Sequence, residues 1–210
     1  MNLNEEIRVL LASFNTPADI AEQIARALEE VESSKIAPGL EVGARAPGFR
    51  LRNHHGQEVG LADKLAQGPV VVTFFRGAWC PICNLQVAAL TRAMPEIRAV
   101  GASVIGIHPD STPMTLPEDV EGFELARDPD QQVIRDYRVQ FRIPENLQAL
   151  YIGSLDFDLA QRNADGSWDL PVPGTFVLGG DGVVRERHVT ADFSQRMEPE
   201  DVLAALNRGQ

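Results

Sequence analysis

The stretch VVVTFFRGAWCPICNLQ, residues 70–86, decides the fold. Its first part is a short, continuous apolar run rich in β-branched residues, which is typical of a central strand buried on both faces of a sheet. From Ile82 to about Val100, apolar residues recur at helical spacing, and the next run, ASVIGIH, is again typical of a buried strand. The stretch therefore predicts a strand–helix–strand unit of an α/β sheet.

Cys80 and Cys83 are the only two cysteines in the 210 residues, and they lie where the first strand passes into the helix. Free backbone N–H groups and the helix dipole at a helix N-terminus favour a thiolate at Cys80 over a thiol of pKa roughly 8.5. Pro81 suits the first helical position, and Cys83 follows about one turn later, within reach of a disulfide. The spacing predicts a nucleophilic cysteine with a resolving partner.

Two other interpretations of the cysteines are a metal site and inert packing. A zinc site needs about four ligands, and the two cysteines have no histidines at ligand spacing near them. The histidines are His54, His55, His108 and His188. Cysteine also packs as a small apolar residue, but the position of CxxC between a strand and a helix argues against that use. We predict no metal and no cofactor.

The composition restricts the classes of partner. The net charge of −11 disfavours nucleic acid and anionic membrane surfaces. No stretch approaches the roughly 20 apolar residues of a membrane helix, and the N-terminus lacks the features of a secretory signal. We therefore expect a cytoplasmic protein, in which a permanent structural disulfide would be unusual.

We predict an N-terminal helical extension over residues 1–38 and a main domain over residues 39–210. In the extension, Thr16 is a candidate cap and Pro17 a candidate first residue of a second helix. That helix has an apolar stripe, which requires a cover from the same chain or from a second subunit, so a homodimer is possible. The stripe consists of Ile20, Ile24, Leu28 and Val31.

The rest of the main domain shows further elements. Two short strands are predicted around His55 and Gly56, and a helix is predicted in DPDQQVIRDYRVQF with Asp128 as its cap and Pro129 at its first position. Residues 142 to about 169 form an excursion with short elements of its own. A hairpin with a turn at Asp181-Gly182 and a final helix in EPEDVLAAL complete the chain.

The motif AWCPIC resembles the redox motif of the thioredoxin superfamily, in which an aromatic residue often precedes the first cysteine. The wider pattern resembles the peroxiredoxin-like branch of the alkyl hydroperoxide reductase and thiol-specific antioxidant (AhpC/TSA) family. The matching segments run in family order from about Leu40 to the C-terminus: EVGARAPGFRL, GPVVVTFFRGAWCPICNLQ, LPVPGTFVLGGDGVV and ADFSQRMEPEDVLAAL. The resemblance implies a thioredoxin-like α/β fold, a central mixed sheet with helices on both faces.

The resemblance also implies roles for single residues. Cys80 matches the peroxidatic position, whose thiolate attacks a hydroperoxide and becomes a sulfenic acid, and Cys83 matches a resolving position. Pro173, followed by Thr175 in VPGTF, matches the cis-proline that faces the thiols in thioredoxin-like proteins. A thioredoxin-like dithiol would then reset the disulfide.

The sequence departs from the typical peroxiredoxin pattern at two places. The proline and the threonine that precede the peroxidatic cysteine are replaced by Thr73 and Gly77, and Pro173 occupies the place of the usual arginine. Arg76 is a candidate for the missing cation, although a solvated loop charge is the alternative. The backbone amides of the RGAW loop are candidates for contacts with peroxide oxygens.

His108 ends the second buried strand, and function often gathers at the carboxyl ends of parallel strands. A histidine there would lower the pKa of the Cys80 thiol or move protons. A structural or solvated role is the alternative.

Three functions fit these observations. The first is a thiol peroxidase, which the resemblance along most of the chain favours. The second is a protein disulfide oxidoreductase, which the CxxC motif, the preceding Trp79 and the predicted cis-proline favour. The third is a redox-responsive binding protein whose thiols switch a contact.

Overall fold

A seven-stranded mixed sheet forms the centre of the computed structural model, which describes residues 1–14 and 16–208. Its strands lie in the order β2-β1-β5-β4-β3-β8-β9, and β6 and β7 form a separate two-stranded sheet. The strands are β1 Arg50–Asn53, β2 Glu58–Gly60, β3 Val70–Phe74, β4 Ser103–His108, β5 Phe123–Arg127, β6 Gln140–Arg142, β7 Asp169–Pro171, β8 Gly174–Leu178 and β9 Val184–Val189.

Strand β3 is central, as its apolar run predicts. It pairs parallel with β4 and antiparallel with β8, and all five of its residues are buried. Because successive side chains point to opposite faces, Val71 packs in the core on one face while Val70 and Val72 pack in the core on the other. The end of β3 therefore delivers residues 75–80 to the carboxyl edge of the sheet.

Helices cover both faces of this sheet, which confirms the predicted α/β class. Helices α1, α4 and α7 contribute to one core, and α3 and α5 contribute to the other. In the described part of the chain, no helix has the length and apolar composition needed to cross a bilayer. The helices are α1 Leu3–Ser13, α2 Ala18–Ser34, α3 Leu61–Leu65, α4 Pro81–Ala99, α5 Gln132–Asp136, α6 Glu145–Leu155 and α7 Pro199–Arg208.

The same chain covers part of the apolar stripe of α2. Ile20 shares a small core with Leu147 and Leu150 of α6, while Ile24 and Leu28 are half-buried. The predicted start of α2 was one residue early. Pro17 has an extended ψ of 141° and lies at the N-cap, without any side-chain cap, so Thr16 does not cap the helix.

Helix α5 is shorter than the predicted helix, and Asp128 and Pro129 lie outside it. The chain turns at Gln131, which has a φ of 56° and precedes the first helical residue. The Gln131 side chain donates to the carbonyl of Asp169 at 3.1 Å. This long-range contact holds the turn, while the Asp128 carboxylate accepts a hydrogen bond from the Ile134 amide at 2.9 Å.

The later elements follow the prediction closely. The excursion forms α6, a short 3-10 turn and the β6–β7 pair. The β8–β9 hairpin turns through residues 179–182, where Gly182 has a φ of 76°. Helix α7 begins at Pro199 with Glu200 and Asp201 in its first turn.

Candidate active site

Cys80 is the N-cap of α4, and Pro81 occupies the first helical turn, as predicted. The Cys80 sulfur accepts a hydrogen bond from the Cys83 amide, with Sγ and N 3.4 Å apart. Both cysteines are free thiols, and their exposed fractions are 0% and 1%. The helix start therefore directs a donor at Cys80 in a site closed to solvent.

Arg76 lies against the thiols and not in solvent. Its Nη2 atom lies 3.1 Å from the Cys80 sulfur, and its backbone amide lies 3.5 Å from the Cys83 sulfur. The guanidinium is held between two aromatic rings, 5.2 Å from the centroid of Trp79 and 4.6 Å from that of Phe193. Stacked in this way, Arg76 presents a fixed charge to Cys80.

The two thiols have opposite shifts in pKa. Burial by itself raises the pKa of Cys80, but a hydrogen bond from Cys83 and the charge of Arg76 outweigh it and hold the pKa well below its usual value. Burial and the neighbouring Cys80 sulfur raise the pKa of Cys83 well above its usual value. These surroundings favour ionisation of Cys80 over ionisation of Cys83.

Arg196 is a second buried cation beside the thiols, and the sequence analysis did not find it. It lies in the loop between β9 and α7 and is 4% exposed. Burial and the charge of Arg76 lower the pKa of its guanidinium, and the interactions with Cys83 and Cys80 offset part of that shift. No local motif marks Arg196, because the contact joins segments more than a hundred residues apart.

A chain of polar side chains runs from Arg196 beneath the cysteines. Arg196 Nε donates to Gln86 Oε1 at 2.7 Å, and Gln86 Nε2 donates to Thr73 Oγ1 at 3.3 Å. The hydroxyls of Thr73 and Thr175 lie 2.9 Å apart. Thr175, a predicted site residue, thus belongs to this chain of polar side chains. Helical periodicity alone could have predicted Gln86 on the same face of α4 as Cys83, one turn later.

Gly77 and Asp110 shape the loop before Cys80. Gly77 has a φ of 150°, and a Cβ there would lie 2.7 Å from Asp110 Oδ2 and 2.6 Å from Trp79 Nε1. Asp110 accepts the Ala78 amide at 2.8 Å, so that amide is not free for a peroxide. The threonine of typical peroxiredoxins does not fit this loop. Asp110 follows the end of β4, a position where function often gathers.

We predict that Gly77→Ala destabilises the protein. The added methyl meets Asp110 and Trp79 in a backbone conformation that alanine rarely adopts, so the free energy of unfolding should fall by about 2 kcal/mol or more. Gly43→Ala is the matched control, since Gly43 has a φ of 87° but open space around it. Urea unfolding measures the stability of both variants. Equal losses of stability would mean that the close approach of the added methyl to Asp110 contributes nothing.

Trp79 links the cysteine loop to the excursion. Its ring centroid lies 4.7 Å from that of Phe157, and its side chain packs against two of the cores. Trp79 and Phe193 together cover Arg76. The two rings therefore fix the guanidinium next to the buried Cys80.

His108 is buried at the end of β4, as the sequence places it. Its pKa is lowered to about 3 because burial and the charge of Arg127 disfavour the imidazolium. The neutral ring supplies no positive charge to Cys80, whose lowered pKa comes from Cys83, Arg76 and Arg196. The burial of His108 and its low pKa favour the structural alternative over a role in moving protons.

The predicted cis bond before Pro173 is wrong. Among the described residues no peptide bond is cis. The segment is held extended between two partners, because the Val172 amide donates to Val139 at 2.8 Å and the Pro173 carbonyl accepts from Thr190 at 3.2 Å. Pro173 still lies near the site, where it lines a small apolar pocket with Arg76 and Phe193.

One histidine cluster lies elsewhere, at the β1–β2 turn. Ligand atoms of His54, His55 and Asp119 lie within 4.8 Å of one another. However, His54 Nδ1 accepts the Leu125 amide at 3.2 Å. In a neutral ring the proton then sits on Nε2, which leaves that nitrogen without a lone pair for a metal.

The mixed sheet with helices on both faces, and the cysteine pair at the strand–helix junction, define a thioredoxin-like α/β protein. The AhpC/TSA family profile matches residues 42–187, and the chain belongs to this family. The resemblance inferred from the motifs is confirmed.

Individual relatives support this assignment. The chain is 32% identical over 103 residues to peroxiredoxin Bcp of Escherichia coli, covering 48% of this chain and 65% of that protein. The chain thus spans less than two thirds of the curated relatives that it matches. Peroxidoxin BcpB of Mycobacterium tuberculosis has a similar fold, with a TM-score of 0.57, 20% identity and coverage of 81% and 99% of the two chains. A putative thiol:disulfide interchange protein DsbE of Chlorobium tepidum also has a similar fold. The TM-score is 0.51, the identity is 22%, and the match covers 80% of this chain and 99% of that one.

Proposed function

We propose that this chain is a thiol peroxidase that reduces hydroperoxides through Cys80, with Cys83 as the resolving cysteine. The observation that carries the proposal is the position of Arg76, whose guanidinium lies 3.1 Å from the sulfur of a thiol with a strongly lowered pKa. Membership of the AhpC/TSA family supports it.

In the first step the Cys80 thiolate attacks one oxygen of the hydroperoxide. A sulfur–oxygen bond forms, the O–O bond breaks, and the leaving alkoxide or hydroxide takes up a proton to become an alcohol or water. Negative charge develops on the leaving oxygen. Arg76 is the nearest cation to Cys80 Sγ, and it would stabilise that charge after releasing the thiolate.

In the second step Cys83 attacks the sulfenic acid of Cys80. The disulfide forms, the sulfur–oxygen bond breaks, and water leaves. An external dithiol such as a thioredoxin would then reduce the disulfide by thiol–disulfide exchange.

A protein disulfide oxidoreductase remains the second candidate, because CxxC at the start of a helix also suits disulfide exchange. The predicted cis-proline was part of the argument for this candidate, and the bond is trans. A fully buried Cys80 also suits a small peroxide better than a protein disulfide.

Stopped-flow mixing of the reduced protein with hydrogen peroxide tests the proposal, with Trp79 fluorescence as the signal. We expect rapid consumption of one equivalent of peroxide per chain without reductant, and slow reduction of insulin disulfides in a parallel assay. Fast insulin reduction with slow peroxide consumption would favour the second candidate. Slow reaction in both assays would favour the redox-responsive binding protein.

A further inference from the structure

Helix α1 is fastened to the loop that carries Arg196. Asn4 Nδ2 donates to the Arg196 carbonyl at 2.8 Å, and the Arg196 amide donates to Asn4 Oδ1 at 2.9 Å. The Glu198 carboxylate accepts the amides of Leu3 and Asn4, each at 2.9 Å. A carboxylate at a helix N-terminus is favourable, so α1 and residues 196–198 hold each other in place.

From this fixed backbone the Arg196 side chain points inward to α4. Its Nε binds Gln86, and its Nη1 donates to the carbonyls of Gln195, at 2.8 Å, and Phe193. Gln86 lies three residues after Cys83, so both side chains are on the same face of α4. The guanidinium therefore lies beside Cys83 in a fixed orientation.

Both arginines act on both thiols, but Arg76 is the larger influence on Cys80 and Arg196 is the larger influence on Cys83. The groups whose charges face Cys83 are Cys80 on the same helix start, Arg76 from the loop after β3, and Arg196 from the loop after β9. The side chain of Arg76 contacts Cys80, whereas only its backbone amide contacts Cys83.

We propose that Asn4 and Glu198 are positioning residues that hold Arg196 beside Cys83, and that Arg196 assists the attack of Cys83 on oxidised Cys80. The inference rests on the proposed function. Once Cys80 is a neutral sulfenic acid, Cys83 must lose its proton to form the sulfur–sulfur bond. The Cys80 sulfur–oxygen bond then breaks, and the departing hydroxide takes a proton to become water. Of the two cations that face Cys83, Arg196 acts on it more strongly and would stabilise the Cys83 thiolate in that step.

The first test measures the pKa of Cys83 by itself. In a Cys80→Ser background, the ultraviolet absorbance of the thiolate is titrated against pH. Arg196→Met should raise the pKa of Cys83 by about one unit or more, because an opposite charge favours the ionised form. Asn4→Ala should shift it in the same direction, and Arg196→Lys should restore part of the effect.

Asn2→Ala is the matched control for Asn4→Ala. Asn2 caps the same helix by accepting the Glu5 amide at 2.9 Å, and its side chain is not hydrogen-bonded to the Arg196 loop within the part of the chain that the structure describes. Equal shifts in the two variants, or no shift in Asn4→Ala, would overturn the positioning role.

The second test follows one turnover in the chain with both cysteines. In Asn4→Ala, at a pH where Cys80 is ionised in both proteins, the formation of sulfenic acid should nearly keep its rate, because Arg196 contributes least to the pKa of Cys80. The conversion of the sulfenic acid to the disulfide should slow by up to about tenfold, in proportion to the lost Cys83 thiolate. Normal peroxide consumption with an unchanged Cys83 pKa would refute this inference alone. Absent peroxide consumption would refute the proposed function, and the titration of Cys83 would still report on Arg196.

Discussion

Cys80→Ser is expected to lower the rate of peroxide consumption by about a thousandfold or more, because a serine hydroxyl at this position has no comparable nucleophilicity. Cys83→Ser is expected to behave differently. Cys80 keeps its helix start and Arg76, so this variant should consume one equivalent of peroxide and then stop as a sulfenic acid.

Peroxide consumption and sulfenic acid trapping by dimedone measure these outcomes. The Cys80→Ser/Cys83→Ser double variant gives the background rate, and unfolding curves check that each variant is folded. A single turnover in Cys80→Ser, with none in Cys83→Ser, would reverse the roles of the two cysteines.

Arg76→Ala is expected to slow peroxide reduction by about tenfold or more, since losing one donor to a developing negative charge costs up to about 2.7–4 kcal/mol. Two effects contribute. The variant loses a charge that lowers the pKa of Cys80, and it loses the cation nearest to the leaving oxygen. Arg98→Ala is the control, since Arg98 is on the same helix as Cys80 but pairs with Glu121 at the surface.

The pH dependence separates the two effects. A thiol with a lowered pKa is ionised above that pKa, so the wild-type rate should fall only when the pH drops through it. In Arg76→Ala the pKa rises and the whole curve should move to higher pH. At a pH where Cys80 is ionised in both proteins, the pKa effect disappears. If peroxide reduction by Arg76→Ala is still slow at that pH, Arg76 also stabilises the leaving oxygen. If the rate recovers to the wild-type value, Arg76 acts only by lowering the pKa of the Cys80 thiol. Disulfide reduction, which has a polarizable sulfur leaving group, should recover at that pH.

Local patterns in the sequence were sufficient for most of the fold. The apolar run of β3, the helical repeat after Cys80 and the turn at Gly182 each depend on neighbouring residues, and the structure has these elements where they were predicted. The AhpC/TSA family could also be inferred, because its motifs are contiguous segments. The position of Cys80 at the start of α4 follows from the same local rules.

Tertiary contacts decided the features that local patterns missed. Gln131 turns the chain before α5 because its side chain binds the carbonyl of Asp169. The bond before Pro173 is trans in a segment that pairs with Val139 and Thr190, both distant in sequence. A local match to a proline motif carries no information about those partners.

The surroundings of the thiols show the same division. The sequence alone identified Cys80, Cys83 and the nearby Arg76, which share one short segment. Only the folded chain brings Arg196 to the same place, through Gln86. Charges act through space, and a buried site collects them from any segment that reaches it. The charge of Arg196 beside both thiols therefore belongs to the tertiary structure, whereas the two thiols at a helix start, and the preference for a thiolate at Cys80, belong to the sequence.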